Sequence, residues 1–351
     1  MKFIKTFLCL CIVAGLLVFM TGCPKTVIEA EPKGKVYFNF FDTVSYIYSY
    51  VEETQEEFDG NCSEIATILE EYHHMLDINY EYSGINNLCT VNKNAGGEPV
   101  KVDKRLIDFL LYAKQMYEKT NGEMNIMMGS VLKPWHECRT AAATEPQNAA
   151  IPDMQNLILA NNYTDINFLD IDKENSTVRI TSQNAQIDVG AVGKGYATEI
   201  AAQHLIDKGI SGYVLNIGGN IRAVGKKPNG EGWLTGVKDP QNHETSFALK
   251  IVLSDTSCVT SGSYERFYVV GNKRYHHVID KDTLMPSEFF SSVTVVCKDS
   301  GLADTLSTAL FCMSIEDAEA LLENFKDVDV LWIDNEGNKY MTDGLKNIIA
   351  E

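Results

Sequence analysis

The chain has 351 residues, 45% of them hydrophobic and 22% charged, an ordinary globular mixture long enough to bury a sizeable core. Its formal net charge is −18, which argues against a nucleic-acid partner, because binding a phosphate backbone needs basic surface. So acidic a body can hold a polyphosphate ligand only where a cation or aligned backbone amides offset the repulsion.

Lys2 and Lys5 precede an apolar run from Phe7 to Met20, and Thr21-Gly22-Cys23 follows at once. A basic start, a short apolar stretch and small residues before a cleavage point make residues 1–22 a secretory signal. The run is shorter than the roughly 20 residues of a comfortable membrane span. The cysteine after Thr-Gly resembles a bacterial lipobox, with Met20 where that pattern usually has Leu. Cys23 would then be the lipidated N-terminus, anchoring an exported protein to the outer face of the cell membrane. An uncleaved anchor or plain signal peptide would also place the body outside the cytoplasmic membrane. Removing residues 1–22 takes away two lysines and no acid, so the charge moves from −18 to −20. Residues 23–33 read as a tether and 34–351 as one folded domain. Six body cysteines, Cys62, Cys89, Cys138, Cys258, Cys297 and Cys312, show neither a CxxC pair nor metal-type spacing, and several sit in apolar runs as buried thiols do.

Val36 to Val51 is rich in aromatic and β-branched residues and predicts strand, in hairpin form. Ile65, Ile68, Leu69, Tyr72 and Leu76 recur at helical spacing over Ser63–Leu76. Asp103 caps a second helix, with Leu106, Leu110, Ala113 and Tyr117 on one face, that ends at Asn121-Gly122. Residues 139–152 read as an irregular loop. Strands are then expected at Thr177–Thr181 and Ile187–Val189, a helix over Lys194–Asp207, and strands around Val214 and Ile221. Further strands are expected at Leu249–Leu253, Tyr264–Val270 and Val293–Val296, with a helix over Leu302–Met313. Strands outnumber helices without strict βαβ alternation, so the class is α+β, with mixed, largely antiparallel sheets and packed helices.

Four stretches carry chemistry. In Asp188-Val189-Gly190-Ala191-Val192-Gly193-Lys194-Gly195 an apolar strand enters a glycine-rich turn and a helix opens at Lys194. Such a turn offers free N–H groups to an anion, yet it matches neither the P-loop nor the dinucleotide pattern. An anion site and a plain strand-to-helix connection both fit it. Gly218-Gly219, between Ile217 and Asn220, suggests a close ligand approach or a tight turn. In Arg274-Tyr275-His276-His277-Val278-Ile279-Asp280 a strand would point the two histidines to opposite faces, leaving a zinc site short of ligands. His277 reads instead as a polar contact or proton relay. Asp304 and Thr308 lie one helical turn apart, the hard oxygen pair that Mg²⁺ accepts, although spacing alone favours an ordinary exposed face.

Taken in order, these stretches resemble the ApbE-type FAD:protein FMN transferases, from Phe41-Asp42-Thr43 to Leu331-Trp332-Ile333. The landmarks are Asp188–Ala197, Leu215–Gly225, Val259–Tyr264, Arg274–Asp280 and Ser292–Met313. The resemblance implies that FAD is the substrate and that Mg²⁺ bridges protein to pyrophosphate. Asp304 and Thr308 would bind the metal through their side chains, and Ala191 through its carbonyl. Lys194, Thr260, Ser261 and His277 would line the flavin and phosphate pocket beside Gly218 and Gly219. Asp42 with Thr43, and the stretch carrying Asn79, Tyr80 and Ser83, match weaker FAD-contacting segments. Met124-Asn125-Ile126-Met127 departs from the common Phe-Asp-Pro-Thr, which puts a nucleotide role for Asn125 in doubt. A related branch shares Asn-Ile here, together with Gly129-Ser130-Val131-Leu132 and Trp135-His136. Lys281 stands where proline commonly follows Asp280, and little consequence is expected.

The implied reaction moves the FMN half of FAD onto a threonine hydroxyl of an acceptor protein and releases AMP, with His277 or Asp280 assisting proton removal. The alternatives are hydrolysis of FAD to FMN and AMP at the same site, or a non-catalytic flavin-binding lipoprotein. The latter would not need Asp304 and Thr308.

Overall fold

The computed structural model describes residues 32–242 and 244–350, so the signal, Cys23 and all of the tether up to residue 31 lie outside the described residues. The first strand begins at Lys33, the last residue assigned to the tether. The aromatic run after it folds as a hairpin of β1 (Lys33–Phe40) and β2 (Thr43–Ser49). Phe41 and Asp42 form the connection, both at positive φ (52° and 53°). That is the conformation of a type I′ turn, which matches strand twist but is one that non-glycine residues seldom adopt. The Phe41 N–H donates to Nδ1 of His73 at 3.3 Å, holding the tip against the helix behind it.

The remaining strands are β3 (Val100–Lys101), β4 (Leu169–Asp172), β5 (Thr177–Ile180), β6 (Tyr213–Ile217), β7 (Asn220–Val224) and β8 (Trp233–Lys238). They are followed by β9 (Phe247–Leu253), β10 (Ser257–Gly262), β11 (Phe267–Val270), β12 (Lys273–His276), β13 (Ser292–Cys297), β14 (Asp329–Ile333) and β15 (Lys339–Met341). Eight strands form one sheet in the order β1-β2-β6-β7-β10-β13-β14-β15, and three smaller sheets surround it. Every pairing between these named strands is antiparallel. The helices are α1 (Gln55–Leu76), α2 (Leu88–Lys93), α3 (Lys104–Lys119), α4 (Gly129–Thr144), α5 (Met154–Asn161), α6 (Gly193–Asp207), α7 (Ser300–Ala309), α8 (Ile315–Leu322) and α9 (Asp343–Lys346). The α+β class read from the sequence is the one observed.

Four local expectations change. Helix α1 begins eight residues before Ser63, because Thr54 and Glu57 form a capping box ahead of a polar first turn without apolar periodicity. Residues 139–144 belong to α4 rather than to a loop. Pro134 lies near its start, and Ala141-Ala142-Ala143, strong helix formers, carry it on. Ile187–Val189 is extended but joins no sheet. The Asn92 side chain takes both main-chain groups of Ile187, accepting its N–H at 2.8 Å and donating to its carbonyl at 2.9 Å. Tyr264–Arg266 likewise forms a turn, and β11 starts only at Phe267.

Burial follows the alternation of the strands. One face of the sheet meets the helices, where Phe58 and Leu69 of α1, Leu106 and Phe109 of α3 and Leu205 of α6 pack with Ile47 and Leu215. Farther along the sheet, Leu306 and Phe311 pack against Val259, Val293 and Trp332. The β8–β9 hairpin covers the opposite face, with Trp233, Ile251 and Leu253 on Ala223, Leu331 and Ile333. The six body cysteines are free thiols.

One buried ion network ties sheet to helices. Arg222 of β7 is fully buried; its Nε donates to Glu199 of α6 at 3.1 Å and its NH1 to Asp255 at 3.1 Å. The same Glu199 oxygen accepts the Ser300 N–H at 2.8 Å, fixing the first turn of α7 to α6. Removing Arg222 leaves the largely buried Glu199 carboxylate without its cation, which costs about 3–5 kcal/mol. Arg222→Leu is therefore expected to lose about 3 kcal/mol or more in urea unfolding, and a loss below about 1 kcal/mol would show that solvent replaces the arginine.

Candidate active site

The glycine-rich stretch folds into a turn closed on Val189, whose carbonyl accepts the N–H groups of Val192 (3.1 Å) and Gly193 (2.8 Å). Asp188 supports it from inside, its Oδ1 accepting the Gly190 N–H at 2.9 Å. Helix α6 starts there without a side-chain cap, so its first N–H groups seek other partners. One is found on α7. A Cβ at Gly195 would lie 2.4 Å from Cβ of Asp304 and from the Ser300 carbonyl, so only glycine lets the two helices approach this closely. The approach seats the Asp304 carboxylate on the α6 N-terminus. Its Oδ2 accepts the Gly195 N–H at 2.8 Å, and its Oδ1 lies 3.5 Å from Nζ of Lys194. Asp304 is 4% exposed and thus does not sit on an ordinary solvated helix face.

Thr308 lies one turn farther along, its Oγ1 3.3 Å from the Ser261 hydroxyl, which also meets Ser307 at 2.9 Å. Ser261 therefore joins this corner. Thr260 does not: adjacent strand residues point to opposite faces, and its hydroxyl pairs with Thr294 at 2.8 Å. The carboxylate of Asp304, the hydroxyl of Thr308 and the carbonyl of Ala191 are all hard oxygen donors. Mg²⁺ takes such a set when one carboxylate is supplemented by water and substrate phosphates.

A cleft of about 490 Å³ opens over this corner, within the range of small-molecule sites. Asp42, Asn79, Tyr80, Asn125, Ala191, Lys194, His277 and Thr308 all line it. Asn79 and Tyr80 are held by Asp77, whose Oδ1 accepts their N–H groups at 2.7 and 3.0 Å. Ser83 lies exposed and is not among the lining residues. Gly218 and Gly219 form the tight β6–β7 turn with φ of 57° and 92°. A Cβ at Gly218 would strike Thr43 at 2.4 Å, so this pair and Thr43 brace each other beside the cleft. Both ends of the Asn125 amide are engaged, donating to Thr164 O at 2.8 Å and accepting from the Met127 N–H at 2.9 Å. That gives Asn125 a structural task where the common family residue is a carboxylate.

Asp280 is not among the lining residues. Its Oδ1 accepts the N–H groups of Asp282 and Thr283, each at 2.8 Å, so this buried carboxylate caps a surface turn. Lys281, expected to matter little, reaches Oε1 of Glu123 on the cleft wall at 3.2 Å. Burial raises the Glu123 pKa, opposed by this lysine.

Among the cleft groups that sequence reasoning missed are His136, Arg139 and Arg266. The first two are on α4, whose second half reads as loop, and Arg266 is in a turn that reads as strand. Arg139 and Arg266 have no hydrogen bond or ion pair among the described residues, unlike Arg105 and Arg222. Together with Lys194 they gather positive charge into one cleft of an acidic protein. His277 sits among them, its Nδ1 enclosed without a partner. Burial lowers its pKa to about 3, helped by Arg266 and Arg139.

His277 is therefore neutral at ordinary pH. Its folded pKa lies below the unfolded value near 6.5, so the unfolded chain binds the proton first, and stability present above that pH is lost as pH falls. NMR should show no His277 protonation between about pH 8 and 5, and His277→Gln should lose less stability over that acid range. An ordinary titration near pH 6.5 would contradict this environment.

The ApbE family profile matches residues 41–332. An FAD:protein FMN transferase of Treponema pallidum is 31% identical over 305 residues, covering 83% of this chain and 82% of that protein. One from Vibrio cholerae is 26% identical over 309 residues, covering 88% of each. Among solved structures, the ApbE protein of Thermotoga maritima aligns with a TM-score of 0.79 at 25% identity, over 92% of this chain and all of its own. Flavin transferase ApbE from Vibrio cholerae aligns at 0.74 and 23% identity, over 91% and 99%.

Proposed function

The chain belongs to the ApbE family, and from that premise we propose that it is an FAD:protein FMN transferase that moves FMN from FAD onto a threonine hydroxyl of an acceptor protein and releases AMP. The observation that carries the reading is the buried Asp304 carboxylate at the α6 N-terminus, beside Lys194 and under a cleft lined by unpaired arginines. A diphosphate ester suits that arrangement in an otherwise acidic protein.

Asp304, Thr308 and the Ala191 carbonyl would hold Mg²⁺, which when bound would supply positive charge to offset that of the diphosphate. Lys194, Arg139 and Arg266 bind and orient the phosphates. His277 stays neutral and offers a hydrogen bond without adding charge. Ser261 keeps Thr308 in place, and the Gly195 N–H fixes the angle of the Asp304 carboxylate. The enzyme thereby positions two reactants and stabilises developing charge, with no covalent enzyme intermediate. Water in place of the threonine would give FAD hydrolysis at the same groups. Residues 1–22 we read as an export signal and Cys23 as a lipid attachment that holds this domain at the outer face of the cell membrane.

The test mixes the protein with FAD, Mg²⁺ and a carrier bearing an acceptor threonine, and weighs the carrier by intact-mass spectrometry. The carrier gains the mass of FMN, the gain vanishes with EDTA, and Asp304→Ala reduces it by roughly 1,000-fold or more. FMN and AMP free in solution with an unchanged carrier would replace transfer by hydrolysis. Near-normal transfer by Asp304→Ala would remove the metal assignment.

A further inference from the structure

The tip of the β1–β2 hairpin borders the cleft in a backbone state that needs support. Phe41 and Asp42 both line the cleft, and both hold positive φ, at 52° and 53°. That region crowds the Cβ of an L residue, and type I′ turns favour Asn-Gly rather than this pair. Such a conformation persists only where its surroundings hold it. Pairing of Phe40 with Thr43 closes the hairpin, and Thr43 is braced on Gly218.

The tip itself is tied by His73, in the last turn of α1. Nδ1 of His73 accepts the Phe41 N–H at 3.3 Å, and the Phe41 ring stands edge-on to the imidazole, 5.6 Å between centres. Neither Phe41 nor Asp42 has a further hydrogen bond among the described residues. A main-chain N–H only donates, so Nδ1 is the bare nitrogen and the neutral ring carries its proton on Nε2. A second proton, on Nδ1, would end the bond.

The same helix end holds a second lip of the cleft. His73 packs edge-on to Tyr82 at 6.3 Å, and His74 stacks on Tyr82 at 3.9 Å. Tyr82 donates to Oδ2 of Asp77 at 2.8 Å, while Oδ1 of Asp77 accepts the Asn79 and Tyr80 amides. Two cleft-lining segments, 41–42 and 79–80, are thus fixed from the C-terminal end of α1. On the reading that the cleft takes FAD, we infer that His73 is a positioning residue for FAD, holding through Nδ1 the hairpin-tip conformation to which FAD binds. The Asp304 corner is built from α6 and α7, so releasing the tip weakens binding and spares turnover at saturating FAD.

Burial lowers the His73 pKa; Asp77 opposes it, His74 adds to it, and Asp42 and Glu70 oppose it further. The folded value lies below the ordinary 6.5, so the ring is a neutral acceptor at neutral pH. As pH falls through that lowered value, Nδ1 takes up a proton. The Phe41 amide then loses its acceptor, and the tip is released.

Wild type, His73→Phe and His73→Asn are compared for FAD affinity between about pH 8 and 5, and for KM and kcat of FMN transfer. His73→Phe keeps a ring and removes the acceptor; His73→Asn puts an amide oxygen in the place of Nδ1 and does not titrate. His73→Phe should weaken FAD binding and raise KM about tenfold or more, with kcat within about threefold of wild type. His73→Asn should bind FAD within about threefold of wild type at neutral pH and lack the additional loss that wild type shows toward acid. His73→Phe binding FAD as wild type does, His73→Asn as weak as His73→Phe, or a kcat that falls with KM unchanged overturns the inference. Should His73→Phe not fold, the acid comparison decides, and parallel losses in wild type and His73→Asn overturn it. FAD bound by wild type without FMN transfer overturns the transferase reading alone, since the affinities still decide the role of His73. A wild type that binds no FAD overturns both.

Discussion

The contact between Gly195 and Asp304 governs the site. An aspartate one turn into α7 becomes a buried carboxylate at the mouth of α6 only because no side chain stands between the two helices. The amide of Gly195 and the ammonium of Lys194 then stabilise a carboxylate that burial would otherwise disfavour. Glu199 works in the same direction, since one of its oxygens joins the start of α7 to Arg222 in the sheet. Sheet, α6 and α7 are thereby locked in one relation, and the cleft lies over the corner they make.

Charge is distributed to the same end. The protein is acidic overall, and many of its surface cations are paired with carboxylates, as Lys35 is with Asp59 and Lys273 with Glu288. Arg139 and Arg266 are left open in the cleft, where each raises the cost of protonating His277 and draws in an anion. His136 faces the same arginines but has a carboxylate neighbour, Asp188, as well.

Much of this was legible in the residues. The glycine spacing at 190, 193 and 195 marks a close-packed turn, and the Asp304–Thr308 interval marks a shared helix face. The hairpin follows from its aromatic and β-branched run, and α3 from its periodicity and its Asp103 cap. What could not be read depends on contacts distant in sequence. Asn92 replaces a strand partner for Ile187 across 95 residues, so an apolar triplet looks like a strand and is none. Gly195 meets Asp304 across 109 residues, and before that contact is known Asp304 looks exposed. Thr260 and Ser261 are equivalent in a sequence pattern, but the pleat sends only Ser261 to α7. Arg139 and Arg266 carry no local signal, because their value comes from meeting in one cleft.

The account depends on the α6–α7 corner assembling a metal-dependent phosphate seat. The most direct measurement is calorimetric titration of FAD into the protein with and without Mg²⁺, for wild type and for a folded Gly195→Ala variant. The account predicts that wild-type binding strengthens at least about tenfold with Mg²⁺ and that the variant loses most of this gain while keeping its far-UV spectrum. Equal FAD affinity with and without Mg²⁺, or a variant indistinguishable from wild type, would contradict it.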